Sequence, residues 1–202
     1  MGLFASNQRE IWQQFAEEAG GEYIDGGFFK KRKVVIPFEN WIITLDTFTR
    51  STGKTSTTYT RMTAPYKSPD GLIFQIYRKN IFSKLGKVLG MQDIEIGDSD
   101  FDDEFVVKGN DEKKIIELLS SKKIRELISS LDNFLLKTVD RNGWFNDYNR
   151  DGIFELYFES RGVIKDIVLL RNLFMLFVFI LNRLTIVGSA KEEQIWGVRD
   201  NE

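Results

Sequence analysis

The sequence predicts an α+β fold: a largely antiparallel sheet (a meander) with helices at both ends and a long C-terminal helix. Two observations favour this class. Runs rich in β-branched and aromatic residues follow one another with only turn residues between them, whereas parallel strands need long crossovers. Segments with apolar residues at helical spacing precede and follow these runs. We expect a single domain over residues 1–188 and a polar tail over residues 189–202.

The N-terminal half combines one helix with the meander. Ile11, Trp12 and Phe15 lie at helical spacing and predict a helix over residues 6–19. Because Pro37 cannot donate to a ladder, we expect its strand to lie at the sheet edge or to end there. The predicted strands are Lys33–Phe38, Trp41–Arg50, Thr55–Met62 and Leu72–Arg78.

The C-terminal half alternates helices with strands. Gly97–Glu104 is predicted to be an acidic loop. The predicted helices are Asn80–Met91, Asp111–Leu119, Lys122–Leu131 and Val163–Leu184, and the predicted strands are Phe105–Lys108, Phe134–Val139 and Ile153–Ser160.

The chain contains no histidine and no cysteine. Histidine is the usual general base near neutral pH, and cysteine supplies thiolate nucleophiles, disulfides and structural zinc sites. Ser-His-Asp and Cys-His catalysis, zinc fingers, zinc hydrolases and disulfide scaffolds are therefore excluded. Carboxylate, lysine, tyrosine and hydroxyl chemistry remain, so we expect a protein that binds rather than one that catalyses.

Basic and acidic residues occupy different parts of the chain. Residues 26–90 hold 12 Lys and Arg against 3 Asp and Glu, whereas residues 91–111 hold 1 Lys against 8 acidic residues. An aromatic-flanked basic surface could bind an anionic membrane surface, and we do not expect nucleic acid as a partner. We favour the alternative that these charges neutralise the acidic segment within the fold. The basic residues concerned are Lys30, Lys31, Arg32, Lys33, Lys84 and Lys87.

The sharpest metal-site pattern is a loop that ends at Glu155. Its positions 1, 3, 5 and 9 carry the oxygen side chains of Asp147, Asn149, Asp151 and Glu155, and Gly152 stands at position 6. Hard oxygen ligands around a turn-forming glycine suit Ca²⁺, and the loop resembles strand-flanked Asp-x-Asn-x-Asp-Gly calcium loops. The alternative is a solvated hairpin loop, since Asn, Asp and Gly favour turns for backbone reasons alone. We expect no other cofactor.

The Gly-Lys-Thr sequence at residues 53–55 is shared with phosphate-binding loops. Such a loop needs a glycine five positions before Gly53, and this chain has Phe48 there. The flanking residues also favour two strands rather than a strand and a helix. The sequence therefore predicts the apex of a hairpin.

The predicted helix Val163–Leu184 is apolar all round at its centre. Its longest apolar run, Leu173–Leu181, would span only about 14 Å as a helix, about half of a bilayer core, so we expect no transmembrane segment. One sheet face cannot cover such a helix, so another element or a second copy of the chain must. A homodimer through Val163–Leu184 is the second of these interpretations. We expect a cytoplasmic protein without a signal peptide. The alternative is a cytoplasmic protein that is peripherally attached to a membrane.

The run Asp102–Leu119 resembles a pattern in uncharacterised bacterial proteins that are grouped as domains of unknown function. In that pattern a Phe-x-Val strand precedes an Asp-capped helix that ends in Leu-Leu. Gly26–Phe29, Arg61–Pro65 and Gly90–Ile94 also look like such proteins, so the likeness covers residues 20–185. The resemblance implies no activity, ligand or functional residue.

Three functions remain open at this point. The first is a non-catalytic binding or scaffolding domain that acts through a partner protein or an anionic surface. The second is a calcium-binding domain that uses the Asp147–Glu155 loop. The third is a carboxylate-based hydrolase, which needs acidic residues from distant segments in one cleft, for example Asp46 with the acidic loop.

Overall fold

A computed structural model of the protein describes residues 3–27, 32–79, 91–141 and 152–191. The strands in these ranges are β1 Glu22–Ile24, β2 Lys33–Phe38, β3 Trp41–Thr52, β4 Thr55–Lys67, β5 Phe74–Arg78, β6 Gln92–Ile94, β7 Phe105–Gly109, β8 Phe134–Asp140 and β9 Ile153–Arg161. The helices are α1 Leu3–Glu18, α2 Ser99–Glu104, α3 Glu112–Leu119, α4 Lys122–Ser129 and α5 Ile167–Ile186.

The described strands form one sheet in which every pair of neighbours is antiparallel. Its order is β1-β2-β3-β4-β9-β8-β5-β7-β6. The predicted α+β class, with an antiparallel sheet and a long C-terminal helix, is therefore confirmed. The meander accounts for β1 to β4, but the order then changes because the β8–β9 hairpin lies between β4 and β5.

The helices pack against one face of this sheet. Because strand side chains alternate, β4 directs Met62, Ala64 and Tyr66 into the core while the residues between them face the other way. The same core contains Trp12 and Phe15 of α1. It also contains eight buried side chains of α5, a helix that contacts α1, α3 and α4. These contacts cover much of the apolar centre of the C-terminal helix, while its outward side, with Met175 and Phe179, stays partly exposed.

By length and composition, α5 could cross a membrane, and it is the one helix of the described residues for which this holds. The nine-residue run considered above is only the centre of a helix of 20 residues. In the fold, 44% of its most apolar window is buried inside the protein. A helix that is apolar all round is typical of a protein core as well as of a membrane span, and the core contacts account for the apolar residues of its buried side.

Two boundaries differ from the sequence prediction because aspartate side chains cap helices. The C-terminal helix begins at Ile167 rather than Val163, since the Asp166 carboxylate accepts hydrogen bonds from the N–H groups of Val168 and Leu169. The acidic segment is not a loop throughout, because Ser99–Glu104 forms α2 with Asp98 as its N-cap.

Smaller corrections concern strand β2 and the polar tail. β2 is the second strand of the sheet rather than its edge, but it ends at Phe38, directly after Pro37, as the other alternative predicted. β1 pairs only with Lys33–Val35, so Pro37 lies beyond its end. Ser189 and Ala190 are buried and Lys191 bridges to β4, so the tail is attached to the fold at its start. The predicted helix Asn80–Met91 lies almost entirely outside the described residues.

Candidate functional site

The sheet face that points away from the core, called here the outer face, carries a row of charged side chains. Strand pairing places Lys33, Asp46, Arg61 and Glu159 side by side across β2, β3, β4 and β9. The charges alternate along this row, and opposite charges on directly paired strand residues stabilise a sheet. Asp46 and Glu159 are only 8% and 5% exposed. The sheet has therefore placed two carboxylates in a largely desolvated position.

Arginines bind both of these carboxylates. Arg61 binds Asp46 through two nitrogens, with Nε donating to Oδ1 at 2.8 Å. Arg50 binds Glu159 with Nη2 to Oε2 at 3.1 Å, and the hydroxyl of Tyr157 donates to the same oxygen at 2.7 Å. Both carboxylates are thus occupied by charge-assisted hydrogen bonds, which are the strong ones.

A stacked aromatic pair lies against both arginines. The rings of Phe48 and Tyr59 stack with centroids 5.3 Å apart. The Arg50 guanidinium lies 4.9 Å from the Tyr59 centroid and 5.5 Å from that of Phe48, and Arg61 also lies 5.5 Å from Phe48. Cation–π contacts of this kind hold a guanidinium in one orientation.

The pKa shifts on the outer face follow from these contacts. Hydrogen bonding to Asp46 raises the pKa of Arg61. Burial raises the pKa of the Tyr157 hydroxyl, and its bond to Glu159 raises it further. Burial also raises the pKa of Glu155, although Arg141 at 3.2 Å opposes the shift. The arginines therefore stay charged, and the proton affinity of Glu155 is increased.

The β3–β4 hairpin extends this face at one end of the sheet. In the ranges that the structure describes, β2 pairs with β3 only as far as Asp46, and β9 pairs with β4 only from Tyr59 onwards. Residues 55–58 of β4 therefore project about 13 Å beyond these neighbours. The hairpin residues 47–58 include two cations, Arg50 and Lys54, and no carboxylate.

The apex of the hairpin is built from glycine and hydroxyl side chains. Gly53 has φ +61°, a left-handed conformation that favours glycine in a tight hairpin turn. The hydroxyls of Ser51 and Ser56 lie 2.9 Å apart and link the two strands. The prediction that Gly-Lys-Thr marks a hairpin apex is confirmed. Lys54 is exposed there.

The predicted basic residues are only partly covered by the structure. Nε of Arg32 lies 3.3 Å from Oδ1 of Asp25, and Nη1 of Arg9 lies 3.2 Å from Oδ2 of the same carboxylate. Lys33 begins β2 beside Asp46. The others lie outside the described residues, so their part in an anionic-surface site stays a prediction: Lys30, Lys31, Lys84 and Lys87.

The predicted calcium ligands are likewise split. Glu155 lies in β9 on the outer face and pairs with Arg141. Asp147, Asn149 and Asp151 lie outside the described residues. Among the residues that the structure does describe, no three acidic side chains are grouped so that they could hold a metal ion. Calcium binding by this loop stays a prediction.

The acidic segment is bound within the fold. Asp98 pairs with Arg125 at 2.9 Å, and Asp93 pairs with Lys108 at 2.9 Å. Glu104 pairs with Arg78, which belongs to the basic part of the sequence. Of these three pairs, Glu104–Arg78 joins the acidic part to the basic part, whereas Lys108 and Arg125 lie outside residues 26–90, so the predicted neutralisation between the two parts is supported by one ion pair.

The structure does not bring Asp46 to the acidic segment. Asp46 is in β3, and the segment precedes β7, which is five strands away in the sheet order. At about 4.8 Å per strand, this separation is roughly 24 Å. The pair suggested above for a hydrolase is therefore wrong. The carboxylates that do lie near Asp46 are Glu155 and Glu159, which strand register brings together.

A second polar cluster joins the β4–β5 turn to the end of α5. Asp70 accepts a hydrogen bond from Lys114 and another, at 2.8 Å, from the hydroxyl of the fully buried Ser189. A serine beside a lysine is a catalytic pair only when the lysine is neutral. Here the bond to Asp70 raises the pKa of Lys114, so the ammonium form is favoured. The cluster attaches α3 and the chain after α5 to the sheet.

A shallow cleft lies where α1 meets β1. Its lining consists of Gln13, Ala16, Glu17, Gly21, Glu22 and Tyr23. Gly21 allows the close approach, because a Cβ there would stand 2.6 Å from the carbonyl oxygen of Val35. The cleft is open and shares no residue with the outer-face network, the name used here for the connected side chains described above: Asp46, Phe48, Arg50, Tyr59, Arg61, Tyr157 and Glu159.

The outer-face network was missed by the sequence analysis. Its members are scattered over three separate segments, and only strand register brings them together. Alternation within each strand places Asp46, Phe48 and Arg50 on one side, but the matching positions in β9 depend on a pairing with β4 that the sequence does not reveal. Comparison with protein-family models, with curated proteins and with solved structures finds no match for this chain.

Proposed function

We propose that the protein is a non-catalytic binding domain whose β3–β4 hairpin contacts an anionic surface. The observation that carries the proposal is the hairpin itself. It projects beyond its described neighbours and carries the exposed Lys54 at its apex, and its residues 47–58 contain no carboxylate. Arg50 at its base is 53% exposed although it binds Glu159. The cytoplasmic, membrane-peripheral location expected from the sequence goes with this proposal.

The side chains of the hairpin suit contact with acidic headgroups. Hydroxyl groups on both strands can donate to phosphate oxygens, and Lys54 adds an ammonium group. A basic residue near an anionic membrane surface contributes about 1 kcal/mol, and salt screens the attraction within a Debye length of about 8 Å. Binding of a single hairpin is therefore expected to be weak, and its affinity for the surface should decrease strongly as the ionic strength rises.

The outer-face network supports a binding role over a catalytic one. A hydrolytic carboxylate must be available to a substrate or to a water molecule. Asp46, Glu155 and Glu159 are each bound to an arginine, and Tyr157 adds a further bond to Glu159. These contacts rigidify the base of the hairpin, which is what a recognition surface requires.

Co-sedimentation with lipid vesicles tests the proposal. The purified protein is mixed with vesicles that contain phosphatidylserine and with vesicles of phosphatidylcholine alone, at low and high salt. We expect binding to the anionic vesicles at low salt only. Lys54→Glu should weaken it by about 2 kcal/mol, roughly 30-fold, since one attraction becomes one repulsion.

Lys122→Glu is the matched control. Lys122 is 83% exposed on α4, a helix on the opposite side of the sheet. The substitution makes the same change in net charge away from the hairpin. Equal losses for the two variants would show that only net charge matters and would refute the hairpin site. Equal binding to both kinds of vesicle would refute the anionic surface.

A further inference from the structure

The outward side of α5 carries a narrow strip of side chains that no described element covers fully. Val168, Met175 and Ile186 are the exposed large hydrophobic residues of the described chain, at 56%, 39% and 64%. Asn172, Phe179 and Asn182 lie between them and are half-buried. With about 3.6 residues per turn these six positions fall on one side of the helix, and we call them the α5 strip.

The α5 strip has a chemical symmetry about Phe177. Val168 and Ile186 lie at equal distances from it in sequence, nine residues before and after. Two asparagines, Asn172 and Asn182, lie five residues on either side. The large flexible and aromatic pair, Met175 and Phe179, lies two residues on either side. At equal distances from Phe177 the strip therefore has an apolar residue matched by an apolar residue and an asparagine matched by an asparagine.

Two arginines flank the strip with the same symmetry, and each binds a neighbouring helix instead of pointing over the strip. Arg171 and Arg183 lie six residues before and after Phe177. Arg171 binds Glu18 of α1 through two hydrogen bonds of 2.6 Å. Arg183 donates to the carbonyl oxygen of Glu117 in α3 at 2.6 Å. Each guanidinium thus points to a different neighbouring helix, and the strip between them is left without charge.

We infer that a second copy of this chain packs antiparallel on the α5 strip, about a two-fold axis that passes between Met175 and Phe179, level with the buried Phe177. A two-fold interface requires that residue i contacts residue j and that j contacts i. Antiparallel pairing about this axis brings Val168 to the partner's Ile186 and Met175 to the partner's Phe179. It also brings each Asn172 near the partner's Asn182, and amide side chains can both donate and accept.

The size of the strip sets the expected strength of this dimer. From Val168 to Ile186 the helix is about 27 Å long. A stable interface buries roughly 800 Å² per partner, so the exposed sides of α1 and α3 beside the strip must also contribute. We therefore expect a dimer that dissociates on dilution. The inference concerns the helical side of the molecule and does not depend on the hairpin proposal.

The absence of cysteine from the chain permits a direct test by thiol cross-linking. Val168→Cys and Ile186→Cys are prepared separately, one with a tag that changes its mass, and are oxidised alone and as an equal mixture. Antiparallel pairing predicts a cross-linked heterodimer in the mixture and little product from either variant alone. Gln92→Cys, at an exposed position on edge strand β6, reports cross-linking by random collision.

Sedimentation equilibrium gives an independent readout. Met175→Lys should raise the dissociation constant at least about tenfold, because it places two unpaired ammonium groups near the axis. Gln92→Lys should leave it unchanged, and thermal melting shows whether each variant is folded. Cross-linking of Val168→Cys alone as efficiently as the mixture would overturn the antiparallel arrangement. A wild type that stays monomeric at all concentrations would overturn the dimer. Binding to phosphatidylcholine vesicles that Met175→Lys abolishes would then assign the α5 strip to lipid.

Discussion

Glu159→Gln measures how much the outer-face network contributes to stability. The Glu159 side chain is 6% exposed, whereas its partner Arg50 is 53% exposed. Removing one partner of a fully buried pair costs about 3–5 kcal/mol, and exposed pairs contribute about 0–1 kcal/mol. Arg50 can regain water when its partner is lost, but the Tyr157 hydroxyl loses a charged acceptor. We therefore expect a loss of about 2 kcal/mol in the free energy of unfolding.

A double-mutant cycle isolates the ion pair from the rest of this effect. Arg50→Met is combined with Glu159→Gln, and the free energy of unfolding of all four proteins is measured by urea denaturation. We expect a coupling of about 1 kcal/mol, because one partner is buried. For a chain of this size, Glu159→Gln alone should lower the melting temperature by about 4–8 °C.

The same cycle on Lys122 and Glu126 is the internal control. This pair lies on α4 with its side chains 83% and 54% exposed, at 3.6 Å. Exposed pairs at this helical spacing contribute about 0.3–0.5 kcal/mol. If the coupling between Arg50 and Glu159 is no larger than this value, the network does not stabilise the hairpin, and the argument for a rigid recognition surface fails.

Three further predictions follow from single contacts. Burial raises the pKa of Glu155 in the folded state, so the wild type should lose stability as the pH rises from the pKa of Glu155 in the unfolded chain through its pKa in the folded protein. Glu155→Gln should remove that loss. Urea denaturation of both proteins at several pH values checks this, and parallel pH profiles would contradict it. Gly109→Ala should lower the free energy of unfolding by about 1–3 kcal/mol, since its Cβ would stand 2.8 Å from the Ile73 carbonyl oxygen and also meet the Ile115 side chain. Gly53→Ala is the comparison: its Cβ meets no atom within 4 Å, so it should cost only about 1 kcal/mol of backbone strain. Calorimetric titration with Ca²⁺ should show heat that Asp151→Ala abolishes, and a wild type without heat or a shift in melting temperature would reject the calcium loop.

Local signals in the sequence predicted most of the elements but not their arrangement. Asp98, Asp111 and Ser121 cap the N-termini of α2, α3 and α4 with side-chain hydrogen bonds. The predicted helices Asp111–Leu119 and Lys122–Leu131 correspond to α3 and α4, but the acidic composition of residues 98–104 concealed α2. β1 and β6 are three residues long, too short for an alternation pattern to show. Their existence depends on pairing with β2 and β7, which is tertiary information.

The candidate site was less predictable than the fold, for the same reason. Charge runs drew attention to residues 30–33, whereas the network that the structure shows is built from single charges in different strands. Asp46 and Arg61 pair across β3 and β4, a hairpin whose register follows from its short turn at Gly53. Glu159 joins them through β9, which follows β4 in the sheet but lies about 100 residues later in sequence. No local pattern specifies such a neighbour.

The two proposals together predict an activity that neither predicts alone. If the α5 strips of two copies meet, the helical layers lie at the centre of the dimer and the two outer faces point in opposite directions. If each hairpin binds through its side of the outer face, the two hairpins contact separate anionic surfaces, and the dimer should aggregate phosphatidylserine vesicles. Turbidity and light scattering at low salt measure this. Met175→Lys should still bind the vesicles but no longer aggregate them, whereas Lys54→Glu should reduce both. Aggregation that persists in a Met175→Lys protein shown to be monomeric would exclude this geometry, because one hairpin per molecule cannot join two surfaces.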